Sequence, residues 1–171
     1  LKVLDYTQTY MGTRKLKHDI ISPLLDPLKI MERLCAVEEL KEKPFILEEI
    51  REILKNISDM ERLISRINYG NSSPRDLAQL QGSLGLIPEL KSLLMETNTA
   101  LLETISNFDD LSKVTELIDR SIKDDPPADI TEGDFIKEGF NEELDSLRNI
   151  SINAKQIILD IENKEKEITG I

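Results

Sequence analysis

With a single cysteine in 171 residues, the chain can form no internal disulfide. Cys35 falls among Met31, Leu34 and Val37 on an apolar face, which predicts a core thiol rather than a reactive one. Cysteine this sparse fits a reducing, intracellular compartment, the cytoplasm, better than secretion. The single histidine, His18, sits beside Lys17 and Asp19 with no ligand set at metal-binding spacing, so a solvated helix face is expected there. Glycine is scarce and unpatterned. None of the 7 forms a phosphate-cradling loop followed by Lys-Ser or Lys-Thr, and no Gly-x-Gly-x-x-Gly follows a strand, which excludes the usual nucleotide folds. No apolar run approaches the roughly 20 residues that span a bilayer, and the N-terminus lacks the basic-then-apolar plan of a signal peptide. Acid, base and nucleophile never occur in combination, so no catalytic, cofactor-binding or metal-binding residue is expected.

Positive charge is also in deficit. Against 33 Asp and Glu stand 22 Lys and Arg, a formal charge of −11, so the average surface repels a phosphate backbone. Arg14, Lys15, Lys17 and His18 form one locally basic patch, which could touch phosphate or an acidic neighbour, but no aromatics interleave with it. The chain opens Leu1-Lys2-Val3-Leu4 without a Met, which predicts an excised fragment.

What the sequence has in plenty is helical punctuation. Asp26-Pro27 puts a capping carboxylate before a first-turn proline, and Leu28, Met31, Leu34, Cys35, Val37 and Leu40 follow at helical spacing up to Lys43-Pro44. Ser73-Pro74 repeats the device ahead of Leu77, Leu80 and Leu84. Shorter stripes run from Phe45 to Leu54 and from Met60 to Ile67. The pattern continues past Pro88 through Leu90, Leu93 and Leu94, then Leu101, Leu102 and Ile105, then Leu111 to Ile122, until Pro126-Pro127 stops it. Between Ala128 and Gly139, Ile130-Thr131 and Phe135-Ile136 flank Glu132-Gly133, which predicts a small β-hairpin. An isolated hairpin is marginal in water, so it must lean on something.

From Asn141, a competent cap, neither Pro nor Gly interrupts the chain before Gly170. The helix this predicts, of about 29 residues and roughly 43 Å, is far longer than its neighbours. Glu142, Glu143 and Asp145 fall in its first turns, where the helix dipole favours negative charge. Leu144, Leu147, Ala154, Ile158, Ile161 and Ile168 keep a three-and-four register, with Ser151 and Glu165 at the intervening steps, and Ile150 and Ile157 broaden the stripe. Such a seam wants at least two neighbours. The stretch from Ile158 to Ile168 has none of matching length here, so its partner helices are expected to be missing from the chain. The fold class expected is all-α: an irregular multi-helix bundle over 1–127, a hairpin over 128–139, and a long helix over 140–171.

Several motifs together resemble one family. LDYTQTYMGTRKLKHDIISPLLD, DMERLISRI, SPRDLAQLQGSLGLIPEL and DDPPADITEGDFIKEGFNEELDSLR are similar, in order, to the core or lever domain of MutS DNA mismatch-repair ATPases. Leu4, Asp5, Thr7, Thr9, Gly12, Arg14 and Leu16 meet the family's L-D-x-T-x-T-x-x-G-x-R-x-L. Gly133, Ile136, Gly139, Phe140, Asn141, Glu143, Leu144 and Asp145 meet its G-x-x-I-x-x-G-[FY]-N-x-E-L-D. Asp19 stands where the family usually carries Trp, so packing around the first helix is expected to differ. The resemblance implies a mechanical link with no catalysis of its own, its long helix reaching a clamp that closes over DNA. The returning chain would supply the missing seam partners. Its partners would be the clamp, connector and ATPase domains of the same chain and, through the whole protein, mismatched duplex DNA. ATP and Mg would belong to the whole protein, a dimer when full length. The alternative is a free-standing helical adaptor that captures a partner's amphipathic helix along the seam.

Overall fold

The computed structural model describes residues 3–169, and among them the regular secondary structure is helical. The helices are α1 (Tyr10–Ile21), α2 (Pro27–Glu42), α3 (Pro44–Lys55), α4 (Met60–Asn68), α5 (Pro74–Gly85), α6 (Ile87–Met95), α7 (Ala100–Ser106), α8 (Ser112–Ser121) and α9 (Glu142–Thr169). The expected stop at Gly170 lies outside the described residues. Two compact units divide the chain after Phe135.

Capping chemistry sets the helix starts in the first unit. Asp26 Oδ1 accepts from Leu28 N at 3.0 Å with Pro27 in the first turn of α2. At α5, Ser73 Oγ accepts from Asp76 N at 3.2 Å while Asp76 Oδ2 accepts from Ser73 N at 2.9 Å, a reciprocal capping box ahead of Pro74. Asp76 is buried, and its other oxygen takes Arg66 Nη2 at 2.8 Å, so this cap also ties α4 to α5. Helix α8 begins differently: Leu111 enters it in the left-handed region, φ 55°, after Asp109 and Asp110, whose carboxylates accept from the Leu111 and Ser112 amides.

One part of the core joins Ala36 of α2, Ile50 of α3, Leu94 of α6 and Leu102 of α7, with Leu40, Leu54 and Leu90 packed around it. Helices α4, α5 and α8 bury Leu63, Leu80, Leu84 and Ile118. The fully buried Ser83 hydroxyl accepts from Ser58 N at 3.0 Å and donates to Gln79 O at 2.9 Å, which satisfies it inside apolar surroundings.

Two expectations need correction. Cys35 is exposed, not in the core. Helix α2 packs through the side that carries Ala36 and Leu40, where a small residue lets its neighbours approach. Leu28, Met31, Leu34 and Val37, the stripe on which the core reading rested, face outward. The hairpin over 128–139 also does not form. Ile130–Glu132 is a single 3₁₀ turn, capped by Asp129 Oδ1, which accepts from Thr131 N and Oγ1, both at 2.8 Å; Glu132 Oε1 accepts from Asp129 N at 3.2 Å. These local side-chain bonds satisfy the amides that a strand ladder would have used. Positive φ falls at Gly133 (70°) and Asp134 (56°), one step beyond the turn the hairpin requires, and Phe135 O then accepts from Lys123 N at 2.9 Å.

The second unit is α9 and the few residues before it. At 28 residues α9 is by far the longest helix, with Glu142, Glu143 and Asp145 in its first turn as the dipole favours. Its large apolar residues Leu147, Ile150, Ile157, Ile158, Ile161 and Ile168 are all exposed.

Candidate functional site

The two ends of the chain that carry the recognisable motifs are both built from polar tethers. At the start, Asp5 Oδ1 accepts from Thr7 N at 3.2 Å and from Thr7 Oγ1 at 2.6 Å, and the Thr7 and Thr13 hydroxyls bond at 2.8 Å. Thr9 caps α1 by accepting from Gly12 N at 2.9 Å. Gly12 is closely packed: a Cβ there would lie 3.1 Å from Thr9 Oγ1 and 3.2 Å from Thr7 Cβ, so both side chains would have to give by a few tenths of an ångström. Asp5, Thr7, Thr9 and Gly12 thus form one folded lead-in to α1.

Arg14 is the hub of this region. Its Nη1 and Nη2 donate to the two oxygens of Asp59 at 2.7 Å each, and its Nε donates to Glu61 Oε2 at 2.9 Å. The pairing raises the Arg14 pKa above its ordinary value and lowers that of Asp59, in both cases chiefly through their mutual hydrogen bonds. Helix α1 has no buried residue, so these bonds and the Asp19–Arg33 pair at 3.0 Å are the polar contacts that hold it to α4 and α2. Asp19, which also accepts from Lys15 Nζ at 2.6 Å, is held at a pKa of about 2, first by Lys15 and then by Arg33. The basic patch is therefore not a free cationic surface: Arg14 and Lys15 are committed to carboxylates. His18 is exposed and lies 3.5 Å from Asp19. An open cleft of about 790 Å³ beside Arg14 is lined also by Tyr10, Asp59, Glu61, Ser65, Arg66 and Gln79, with the Ser65 hydroxyl turned back to donate to Glu61 O at 2.8 Å.

Glu39 is an interhelix tether that spacing did not single out. From α2 it accepts Asn98 N at 2.7 Å and Thr99 N at 2.9 Å, together with the Thr99 hydroxyl, so it caps α7 from a different helix. Thr99 itself provides no side-chain cap. These bonds, that from Thr99 first, depress Glu39 to a pKa of about 2.

At the base of α9, Gly139 has φ +80°, a conformation glycine adopts freely. Its N–H donates to Asp145 Oδ2 at 2.8 Å, Asn141 Oδ1 accepts from Leu144 N at 2.9 Å, and Arg148 Nη2 donates to Ile136 O at 3.0 Å. The long helix thus reaches back through Asp145 and Arg148 to lock the residues that lead into it. Among the described residues there is no cluster of His, Cys, Asp or Glu that could hold a metal ion. No helix among them is long and apolar enough to cross a membrane.

These features define a helical structural segment whose motif residues cap, turn and tether. The chain belongs to the MutS domain III family, whose model, described as MutS domain III, matches residues 1–170. Proteins named DNA mismatch repair protein MutS are similar to it along its whole length. That of Caldicellulosiruptor bescii is 44% identical over 172 residues, covering 100% of this chain and 20% of the relative. That of Methanosarcina barkeri is 42% identical over 175 residues, covering 99% and 19%. That of Listeria welshimeri is 44% identical over 172 residues, covering 100% and 20%. The chain thus spans about a fifth of the length of the curated relatives it matches.

Proposed function

We propose that this segment is the mechanical link of a DNA mismatch-recognition ATPase, joining a DNA clamp to an ATPase domain and performing no catalysis itself. The observation that carries the reading is α9: a 28-residue helix, locked at its base by Asp145 and Arg148, with an exposed apolar stripe along its length. A packed helix moves as a rigid element, so a small rotation at its base becomes a larger displacement at its tip. Residues 1–127 act as the anchoring body and 140–171 as the lever. The turn between them, in place of a hairpin, leads the chain into the Gly139–Asp145 lock. ATP and Mg bind elsewhere in the whole protein, which acts in the cytoplasm as a dimer on mismatched duplex DNA.

Coupling of this kind is reciprocal: DNA changes nucleotide affinity as nucleotide changes DNA affinity. The test is Asn153→Pro in the intact protein, which breaks the helix midway at a cost of about 3 kcal/mol or more. DNA binding and basal nucleotide hydrolysis are expected to survive while each ligand loses its effect on the other. Undiminished coupling in this variant would refute the lever. The adaptor reading draws on the same exposed stripe but requires capture of an amphipathic helix with no DNA involved.

A further inference from the structure

The geometry points to α1 as an ionic latch: a helix that leaves α2 and α4 as one piece, on release of two groups of ion pairs, while the rest of its unit stays folded. The inference goes beyond the lever reading and needs no clamp, nucleotide or DNA. No residue of α1 is buried, and its apolar contact with the body is limited to half-buried residues such as Met11 and Leu16. Tyr10, Ile20 and Ile21 are exposed. The core is drawn from other helices, with Ala36, Ile50, Leu94 and Leu102 in one part and Leu63, Leu80, Leu84 and Ile118 in the other. Taking α1 away removes no core side chain, so apolar burial, the dominant favourable term in folding, contributes little to its docking.

What holds α1 is charge. Among the described residues, its side chains bond to other elements only where Arg14 meets Asp59 and Glu61 at the start of α4 and where Asp19 meets Arg33 of α2. The side chains of Arg14, Glu61 and Arg33 are 46%, 68% and 43% exposed. Pairs this accessible bind weakly and are screened by salt. The remaining bonds of the motif are internal to it: Asp5 with Thr7, Thr7 with Thr13, Thr9 with Gly12. They fold the lead-in onto α1 and not onto the body, so the two travel together. The connection to α2 is free to bend, because among the described residues Pro23, Leu24 and Leu25 make no hydrogen bond to the body. Latched, α1 and its lead-in move with the body. Released, a helix of 12 residues is too short to persist alone in water, and the chain ahead of Asp26 becomes a tether that uncovers Asp59, Glu61 and Arg33.

Hydrogen exchange followed by mass spectrometry on the 171-residue chain tests the latch, with α5 as the internal measure of the body. Amides of α1 are expected to exchange through local opening, ahead of those of α5. Raising the salt from about 0.05 to about 1 M shortens the screening length to about 3 Å and is expected to speed α1 by about three- to tenfold relative to α5. Arg14→Gln and Arg33→Gln each give a rise of similar size at low salt, and the two together leave little for salt to do. Leu16→Ala trims the apolar contact, keeps every ion pair, and is expected to change α1 less than Arg14→Gln does. Protection of α1 equal to that of α5 in every condition overturns the proposal, because the helix then opens only with the body. So does exchange of α1 that is indifferent to salt and to Arg14→Gln, because charge is then not what holds it. A larger effect from Leu16→Ala than from Arg14→Gln overturns it too, since burial is then the fastening. None of these readouts involves nucleotide or DNA, so their failure leaves the lever standing.

Discussion

Substitution of Gly139 is a purely torsional test. Its φ is +80°, yet a Cβ built there meets nothing within 4 Å, so space is not the issue. Gly139→Val puts a β-branched residue in the left-handed region and is expected to cost about 1–3 kcal/mol, whereas Gly139→Asn costs far less because Asn tolerates that region. Equilibrium denaturation compares the two; equal midpoints for Val and Gly would mean the turn relaxes. Glu39 provides a pH test. Its pKa falls from 4.5 to about 2, and that of Asp19 from 3.8 to about 2. Both are depressed, so their contributions are complete above the ordinary values and disappear as pH falls through the folded ones. Stability should therefore decline between pH 4.5 and about 2. Glu39→Gln should flatten that decline and, at neutral pH, speed hydrogen exchange at the Asn98 and Thr99 amides. An acid limb of undiminished slope would show that Glu39 bears no stabilising charge.

At the scale of elements, the sequence could be read wherever the signal is local. Asp26-Pro27, Ser73-Pro74 and Asn141 each announce a helix start by a side chain and an amide two or three residues apart, and each cap forms. The motifs at both ends were equally legible, because Gly12, Gly139 and Asp145 act on residues a few positions away. What stayed hidden depends on distant partners. Arg14 meets Asp59 across 45 positions and Glu39 meets Thr99 across 60, and no spacing rule connects them. The outward face of α2 was misread because periodicity reveals that a helix has an apolar side without saying which neighbour covers it. The failed hairpin was a contest between a strand pattern and the Asp129–Glu132 capping box, and the shorter-range bonds won. For α9 the seam itself was legible, and Ile157, Ile158, Ile161 and Ile168 are exposed. Its distal half should fray or self-associate, since an isolated helix is marginal in water. Sedimentation of the chain beside the Ile158→Lys, Ile161→Glu variant, with hydrogen exchange along residues 156–169, checks this. A strictly monomeric parent, as protected there as in α5, would mean the seam needs no partner.

For the whole molecule, charge and tethering together set what the segment does alone. The formal charge is −11, and two members of its basic patch, Arg14 and Lys15, are held by Asp59, Glu61 and Asp19. Freeing Arg14 to meet a phosphate would break a bidentate pair and leave two carboxylates facing the same anion, so each such contact begins from a deficit. Binding through released counterions needs several uncommitted cations on one surface. A base-reading wedge needs an exposed aromatic supported by such cations. Tyr6 and Tyr10 are exposed near α1, but Asp59 and Glu61 lie in the same cleft as Tyr10. The isolated segment is therefore expected to bind duplex DNA weakly, without preference for a mismatch. What little binding it shows should strengthen when Asp59 and Glu61 are both changed to Ala, which releases Arg14 and removes the competing carboxylates. Fluorescence-anisotropy titrations of matched and mismatched duplexes at moderate salt read both effects. Submicromolar, mismatch-selective binding by the unaltered chain would place a reading element within these 171 residues and overturn the division of labour in which this segment transmits what other domains detect.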